Sequence, residues 1–367
     1  MPVDSGMTIT RVPRILRTAA AIVAVLAVLG ASTSVALSKG LSSLPFDDGF
    51  AEIVVIVSDL DTRVAQLIAA TGWREEGRGE VDPAVLARWG LPRTATAREA
   101  LLGEPGTARG RVRLVEIREA GAARRIRSSA MPWESGGWAG VNVRVVNIFE
   151  TFDRLQREGW QGFSDPVTFD VPPYRVREAM LVGPDGFVLG LLQRVSPPLA
   201  GWQWGAAISR PVTVFATVAD PAKARRFFET DLGIKVRLQY DGPAAPPGMN
   251  LFGLPHDHTL NMTRAVDWHQ AAGRDEGTIA SIAFRGVVGR RFDTDNGPPN
   301  LGLFMVRLFV TDAAARCATL QGRTVGKVRG RYTAEVAPYG RLDGCVLESP
   351  DGAWVDLVSF SGGGGKK

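Results

Sequence analysis

Three histidines and two cysteines are all that 367 residues offer for imidazole or thiol chemistry. The histidines, His256, His258 and His269, fall together in GLPHDHTLNMTRAVDWHQ. A His-x-His pair on a strand points both rings to one face, where a metal or an acidic substrate group could be gripped. So short a spacing is common, and the plainer reading is solvated histidines at a strand edge or in a loop. Cys317 and Cys345 could pair in an oxidising compartment; their setting favours two buried thiols, one on a helix and one on a strand. Neither adjoins a His that would activate it as a nucleophile. The remaining candidates are carboxylates. LVGPDGFVLGLLQR and LESPDGAWVDLVSF share a Pro-Asp-Gly turn that launches a strand: Pro presets φ, Asp bonds back to the backbone and Gly accepts positive φ. At one inward-looking position of that strand the first copy has Gly190 and the second Asp356.

The elements that position these residues are repeated. VVIVSDLDTRVAQLIAATGW opens one half and TVFATVADPAKARRFFETDLGI the other; RWGLPR matches LFGLPH, and GRVRLVEI matches GTIASIAF. Each half divides again, restarting at GVNVRVVNIFETFDRLQREGW and at MVRLFVTDAAARCATLQGR. Each module reads as a β-branched strand, a helix with apolar residues at helical spacing (Val64, Leu67, Ile68; Phe152, Leu155), then further strands. Asp61, Asp220 and Asp312 are expected near the helix N-caps. The Pro-, Gly- and Trp-rich stretch 196–210 reads as a linker between a first domain, 46–195, and a second, 211–360, with a flexible tail at 361–367. Trp89, Trp133, Trp138, Trp160, Trp202 and Trp204 are candidates to line a cleft or, more simply, to cover the open side of a sheet.

With 45% hydrophobic and 22% charged residues the chain can bury a large core. A formal charge of +5 includes Arg11, Arg14 and Arg17, and no basic run is interleaved with aromatics, so a nucleic-acid partner is not expected. RVPRILRTAAAIVAVLAVLGASTSVALSKG has the basic start, apolar stretch and small residues of a secretory signal with cleavage after Ala36. Extended over 19–37, the same stretch approaches a membrane span. Residues 1–45 are therefore a signal peptide or a membrane anchor, and the protein is expected outside the cytoplasm or held at the membrane.

The order of modules resembles the vicinal oxygen chelate superfamily, which includes glyoxalase I, extradiol dioxygenases and bleomycin-resistance proteins. Val57, Asp59 and Leu60 after the first strand, DLGI at 231–234 and PDGxxxxL at 184–191 and 350–357 carry the likeness. It implies an α+β fold of tandem, paired βαβββ modules whose sheets form half-open cups. It also implies metal ligands at the start of each module's first strand (Glu52, Gly140, Thr213, Met305) and within its last (Glu116, Gly190, Ala283, Asp356). In fused relatives modules can exchange between halves. Pairing first with fourth would then gather Glu52, Glu116, Asp356 and Met305 in one cup and leave the other with Gly140, Gly190, Thr213 and Ala283. Three carboxylates would raise at least one pKa unless a cation neutralised them. Glu52, Glu116 and Asp356 become the metal candidates, with Glu52 or Glu116 also serving as base. The absence of histidine at these positions favours Mg²⁺ or Mn²⁺ over Fe(II) or Zn²⁺.

Three functional readings follow: a cup that binds a small molecule without catalysis, a divalent-metal-dependent lyase or isomerase acting on adjacent oxygens, and an envelope module that binds a partner.

Overall fold

Alternation in the first strand of each module sets the architecture. In β1 (Glu52–Ile56), Ile53 and Val55 join one apolar core while Val54 and Ile56 join another, so one face of the strand meets helices and the other lines a cup. The computed structural model describes residues 49–361, except 128–130, 172, 245–249, 254–261, 271–275, 288, 293, 295 and the Val171 side chain. The N-terminal segment, the His256/His258 pair and the tail lie outside the described residues. Among those described, no helix is long and apolar enough to cross a membrane.

The first module continues with α1 (Leu60–Thr71), β2 (Arg74–Glu80), α2 (Pro83–Arg88), β3 (Thr96–Gly103) and β4 (Arg111–Arg118). The second holds β5 (Trp138–Val145), α3 (Ile148–Arg157), β6 (Gln161–Gly162), β7 (Val167–Val171), β8 (Tyr174–Val182) and β9 (Val188–Ser196). The third holds β10 (Ile208–Thr217), α4 (Pro221–Arg225) running into a π-helical turn (Arg226–Asp231), β11 (Val236–Pro243), β12 (Thr263–His269) and β13 (Thr278–Arg285). The fourth holds β14 (Gly302–Phe309), α5 (Ala313–Leu320), β15 (Lys327–Val336), β16 (Gly340–Glu348) and β17 (Trp354–Phe360). Side chains cap the helix starts: Asp59 accepts from Thr62 N, Asn147 from Phe149 N, Asp220 from Ala222 N and Asp312 from Ala315 N. In the first helix the cap is thus Asp59. Asp61, two residues further in, instead pairs with Arg78 and Arg98.

The sheets do not follow the linear halves. One has the order β15-β16-β17-β14-β1-β4-β3-β2, joining modules one and four; the other, β11-β12-β13-β10-β5-β9-β8-β6, joins two and three. β1 pairs antiparallel with β14, and β10 with β5. The connection 197–207 therefore separates the halves in sequence while both sheets cross between them.

The helix-facing sides of both sheets share one core, with Ile53, Leu114, Val141, Val214, Val306 and Val355 among its members. The repeated turns stitch the sheets together there. Asp185 Oδ2 accepts from Ser58 N (3.2 Å) and Arg63 Nε (2.6 Å), and Asp351 Oδ1 accepts from Ala219 N (2.9 Å). Each carboxylate reaches the loop after the first strand of the preceding module, which lies in the opposite sheet. Gly186 and Gly352 take φ of +85° and +80° in these turns, a conformation that only glycine adopts without strain. Trp138 Nε1 donates to Trp354 O (2.8 Å) and Trp73 Nε1 to Ile208 O (2.9 Å), two more bridges between the sheets. Cys317 on α5 and Cys345 on β16 are the helix and strand residues expected, but they form a disulfide rather than two free thiols; their Cα atoms, 5.7 Å apart, lie within bonding reach.

Candidate functional site: one filled cup and one open cup

Glu52 and Asp356 do share the first–fourth cup, but a guanidinium stands between them. Glu52 is fully buried, with Arg113 Nε at 2.7 Å from Oε1, Arg113 Nη2 at 3.0 Å and the Tyr339 hydroxyl at 2.9 Å from Oε2. Arg307, on the register partner of Glu52 in β14, donates to both Glu52 and Asp356 and lies 2.9 Å from Asp356 Oδ2; Tyr332 donates to that same oxygen at 2.6 Å. Glu99 completes the network through Arg113 Nη1, and Arg113 Nη2 also reaches Ala337 O.

Glu116 is not part of it. Two residues on from Leu114, it shares the helix-side face of β4 and accepts from Leu60 N, Arg98 and Arg118. The carboxylates Glu52, Glu116 and Asp356 thus do not converge, because strand alternation puts Glu116 on the far face. Met305 is buried among apolar neighbours in the cup. The donor set does not fit a divalent ion: the oxygens of Glu52 and Asp356 that face each other are taken by arginines, and among the described residues no group of three His, Cys, Asp or Glu could hold one.

Charge in this cup follows from the count of acids and bases. Burial raises the affinity of Glu52 for a proton, but Arg113 and Arg307 outweigh it and hold the carboxyl below its usual range. For Asp356, burial wins over Arg307 and Tyr332; for Glu99, burial wins over Arg113; both are pushed up. Trp89, Phe304 and Trp354 fill the rest of the cup edge-on, with centroids 5.0 and 5.8 Å apart. The helix α2 lays Val85 and Leu86 over the same core.

The second–third cup has the same register and different chemistry. Where Glu52, Arg307 and Asp356 sit side by side in one sheet, Thr213, Asn142 and Gly190 sit side by side in the other. A Cβ at Gly190 would lie 2.1 Å from Asn142 Oδ1, so a larger residue there would have to displace the Asn142 side chain. Gly140 is likewise closed by Phe215 and Val188, and Ala283 faces the helix-side core. Among the described residues no ion network fills this cup, which keeps a cavity of about 60 Å³ walled by Phe215, Leu251, Phe252, Trp268 and Met180, with Asn142, Glu178 and Arg264 as its polar groups. A second hollow of about 230 Å³, with Arg144, Arg177, Arg194 and Trp204 in its wall, shares Glu178 and Leu192 with the first.

Superposition identifies the architecture. Glyoxalase I from Zea mays matches with a TM-score of 0.57 at 15% identity, over 85% of this chain and 92% of that one. One single-residue mutant of that enzyme matches at 0.54 and 17%, over 84% and 93%, and another at 0.55 and 16%, over 85% and 92%. The chain has the vicinal oxygen chelate fold. No protein-family model matches the sequence, and no curated protein matches it. Within that fold, of the positions that the resemblance marked as ligands, Glu52 and Asp356 belong to an ion-pair network, Met305 is apolar packing in the same cup and Glu116 lies on the far face, while the second–third cup has Thr213, Gly140 and Gly190.

Several site residues escaped the sequence reading. Glu178, Arg264 and Trp268 lie on β8 and β12, the strands just before the last of their modules, where the resemblance marks no ligand. Glu178 did carry a signal: in RVREAML it alternates with Val176 and Met180, an acid at a position whose neighbours point inward. His269 faces the core, where burial lowers its pKa against the hydrogen bond of Nδ1 to Ile234 O. Of the tryptophans, Trp89, Trp138 and Trp160 are core residues, Trp133 packs against the second–third cup, and Trp204 lines the larger hollow.

Proposed function

We propose that the protein is a small-molecule-binding member of this fold, with the second–third cup as its site and the first–fourth cup as a structural element. The observation that carries this reading is the cavity among Phe215, Phe252, Trp268 and Leu251, in the cup whose centre holds no ion-pair network among the described residues. Apolar walls with a few convergent polar groups are the usual composition of small-molecule sites. The likeness to glyoxalase I at 15% identity supports the fold and does not bring that enzyme's activity with it. Export of the chain through residues 1–45 belongs to the same proposal, and the Cys317–Cys345 disulfide supports it, since such bonds persist in oxidising compartments.

The test is thermal unfolding with naphthalene-based probes, since a ligand that binds only the folded state raises Tm. The wild type should shift upward. Ala280→Phe, which fills the cavity from β13, should abolish the shift while retaining the far-ultraviolet spectrum of the fold. No shift for any probe, or an equal shift in Ala280→Phe, would refute the assignment.

A further inference from the structure

Arg264, on β12, is 5% exposed and lines the cavity, yet it makes no hydrogen bond or ion pair with any described residue. Its guanidinium lies 5.1 Å from the Phe252 ring centre and 5.5 Å from that of Tyr240, and its Nε is buried without a partner. A buried charge is costly unless something complements it. Aromatic faces supply part of that, and an anion would supply the rest. Among the described residues, Glu178 is the one acid in the walls of the two hollows, and it forms no ion pair with Arg264. The larger hollow adds Arg144, Arg177 and Arg194.

We propose that the second–third cup takes an organic monoanion with an apolar or aromatic body, its acid group anchored by Arg264; this rests on the small-molecule reading of the same cup. The protonation of Glu178 agrees. Burial lifts its carboxyl to about 8, with Arg264 only partly offsetting, so at neutral pH it presents an O–H that donates to a bound carboxylate instead of repelling it. Among the described residues, the charged groups around it are Arg264 across the cup on β12, Arg144 on β5, Arg194 on β9 and its neighbour Arg177 on β8. All are cations, and none makes a second negative charge available to the site.

Calorimetric titration at pH 7 with 1-naphthoate and with 1-naphthalenemethanol separates the acid group from the ring. The wild type is expected to bind the carboxylate at least about tenfold more tightly than the alcohol. Arg264→Met, which keeps an apolar stem between Phe252 and Tyr240, should bring that ratio close to one, and Arg264→Lys should retain the preference. Equal binding of the two probes by the wild type, or an undiminished preference in Arg264→Met, overturns the anion assignment and leaves the binding site standing. Failure of both probes to bind overturns the site itself. Should Arg264→Met not fold, the wild type alone decides: affinity for 1-naphthoate should fall as pH rises through about 8 while that for the alcohol stays level, and two parallel profiles would refute the proposal.

Discussion

At the scale of single residues, the two cups use ionisable groups in opposite ways. Arg307 sits between Glu52 and Asp356 where the resemblance called for a cation, so the guanidinium does the neutralising. Removing one member strands the others: Glu52→Gln should cost about 3–5 kcal/mol in urea unfolding, as for other broken buried pairs, whereas a change at Glu116, which pairs with half-exposed arginines, should cost about 1 kcal/mol or less. Similar losses at both sites would contradict the placement. In the other cup Glu178 has a folded pKa raised above its unfolded value, so the folded state holds an extra proton between about 4.5 and about 8 and stability falls as pH rises through that window. Glu178→Gln should flatten this part of the stability profile and make the variant more stable than the wild type at pH 9. A parallel decline in the two proteins would show that Glu178 is not the group concerned.

Elements were largely legible in the sequence, because strand alternation, helix caps and Pro-Asp-Gly turns are local signals. The modules fall where the repeats place them, and the Asp356/Gly190 difference marks two unlike cups. What local signals do not carry is which face of β4 Glu116 takes, or that Arg307 and Arg113 would reach the same carboxylate; these depend on register between strands far apart in sequence. The turns now have a structural reason to be repeated, since Asp185 and Asp351 each tie one sheet to the other. The disulfide between α5 and β16 closes a separation of 28 residues and should contribute about 3–4 kcal/mol, read as the stability lost in the Cys317→Ser, Cys345→Ser double variant. Free thiols in the unreduced protein, found by mass after alkylation, would remove that contribution.

Across the whole molecule, the exchange of modules makes each half dependent on the other. Residues 49–196 alone would leave β1 without β14 and β5 without β10, two open sheet edges. Cleavage in 197–207 should therefore leave the halves associated on gel filtration, because the strand pairs β1–β14 and β5–β10 still cross between them. Release of two separate halves after the cut would show that the sheets are not shared. The same exchange explains how one chain holds two unlike cups: Glu52, Arg113, Arg307 and Asp356 of modules one and four form an ion-pair network in one, and modules two and three place Glu178 and Arg264 among small and aromatic residues around a cavity in the other.

That division of labour is tested most directly by a crystal of the protein soaked with 4-iodobenzoate and measured for anomalous iodine scattering. The account predicts one iodine peak in the second–third cup, among Phe215, Phe252 and Trp268, with the carboxylate at the Arg264 guanidinium. A peak in the first–fourth cup, beside Arg113 and Arg307, would contradict it, as would a fully soaked crystal with no iodine in either cup.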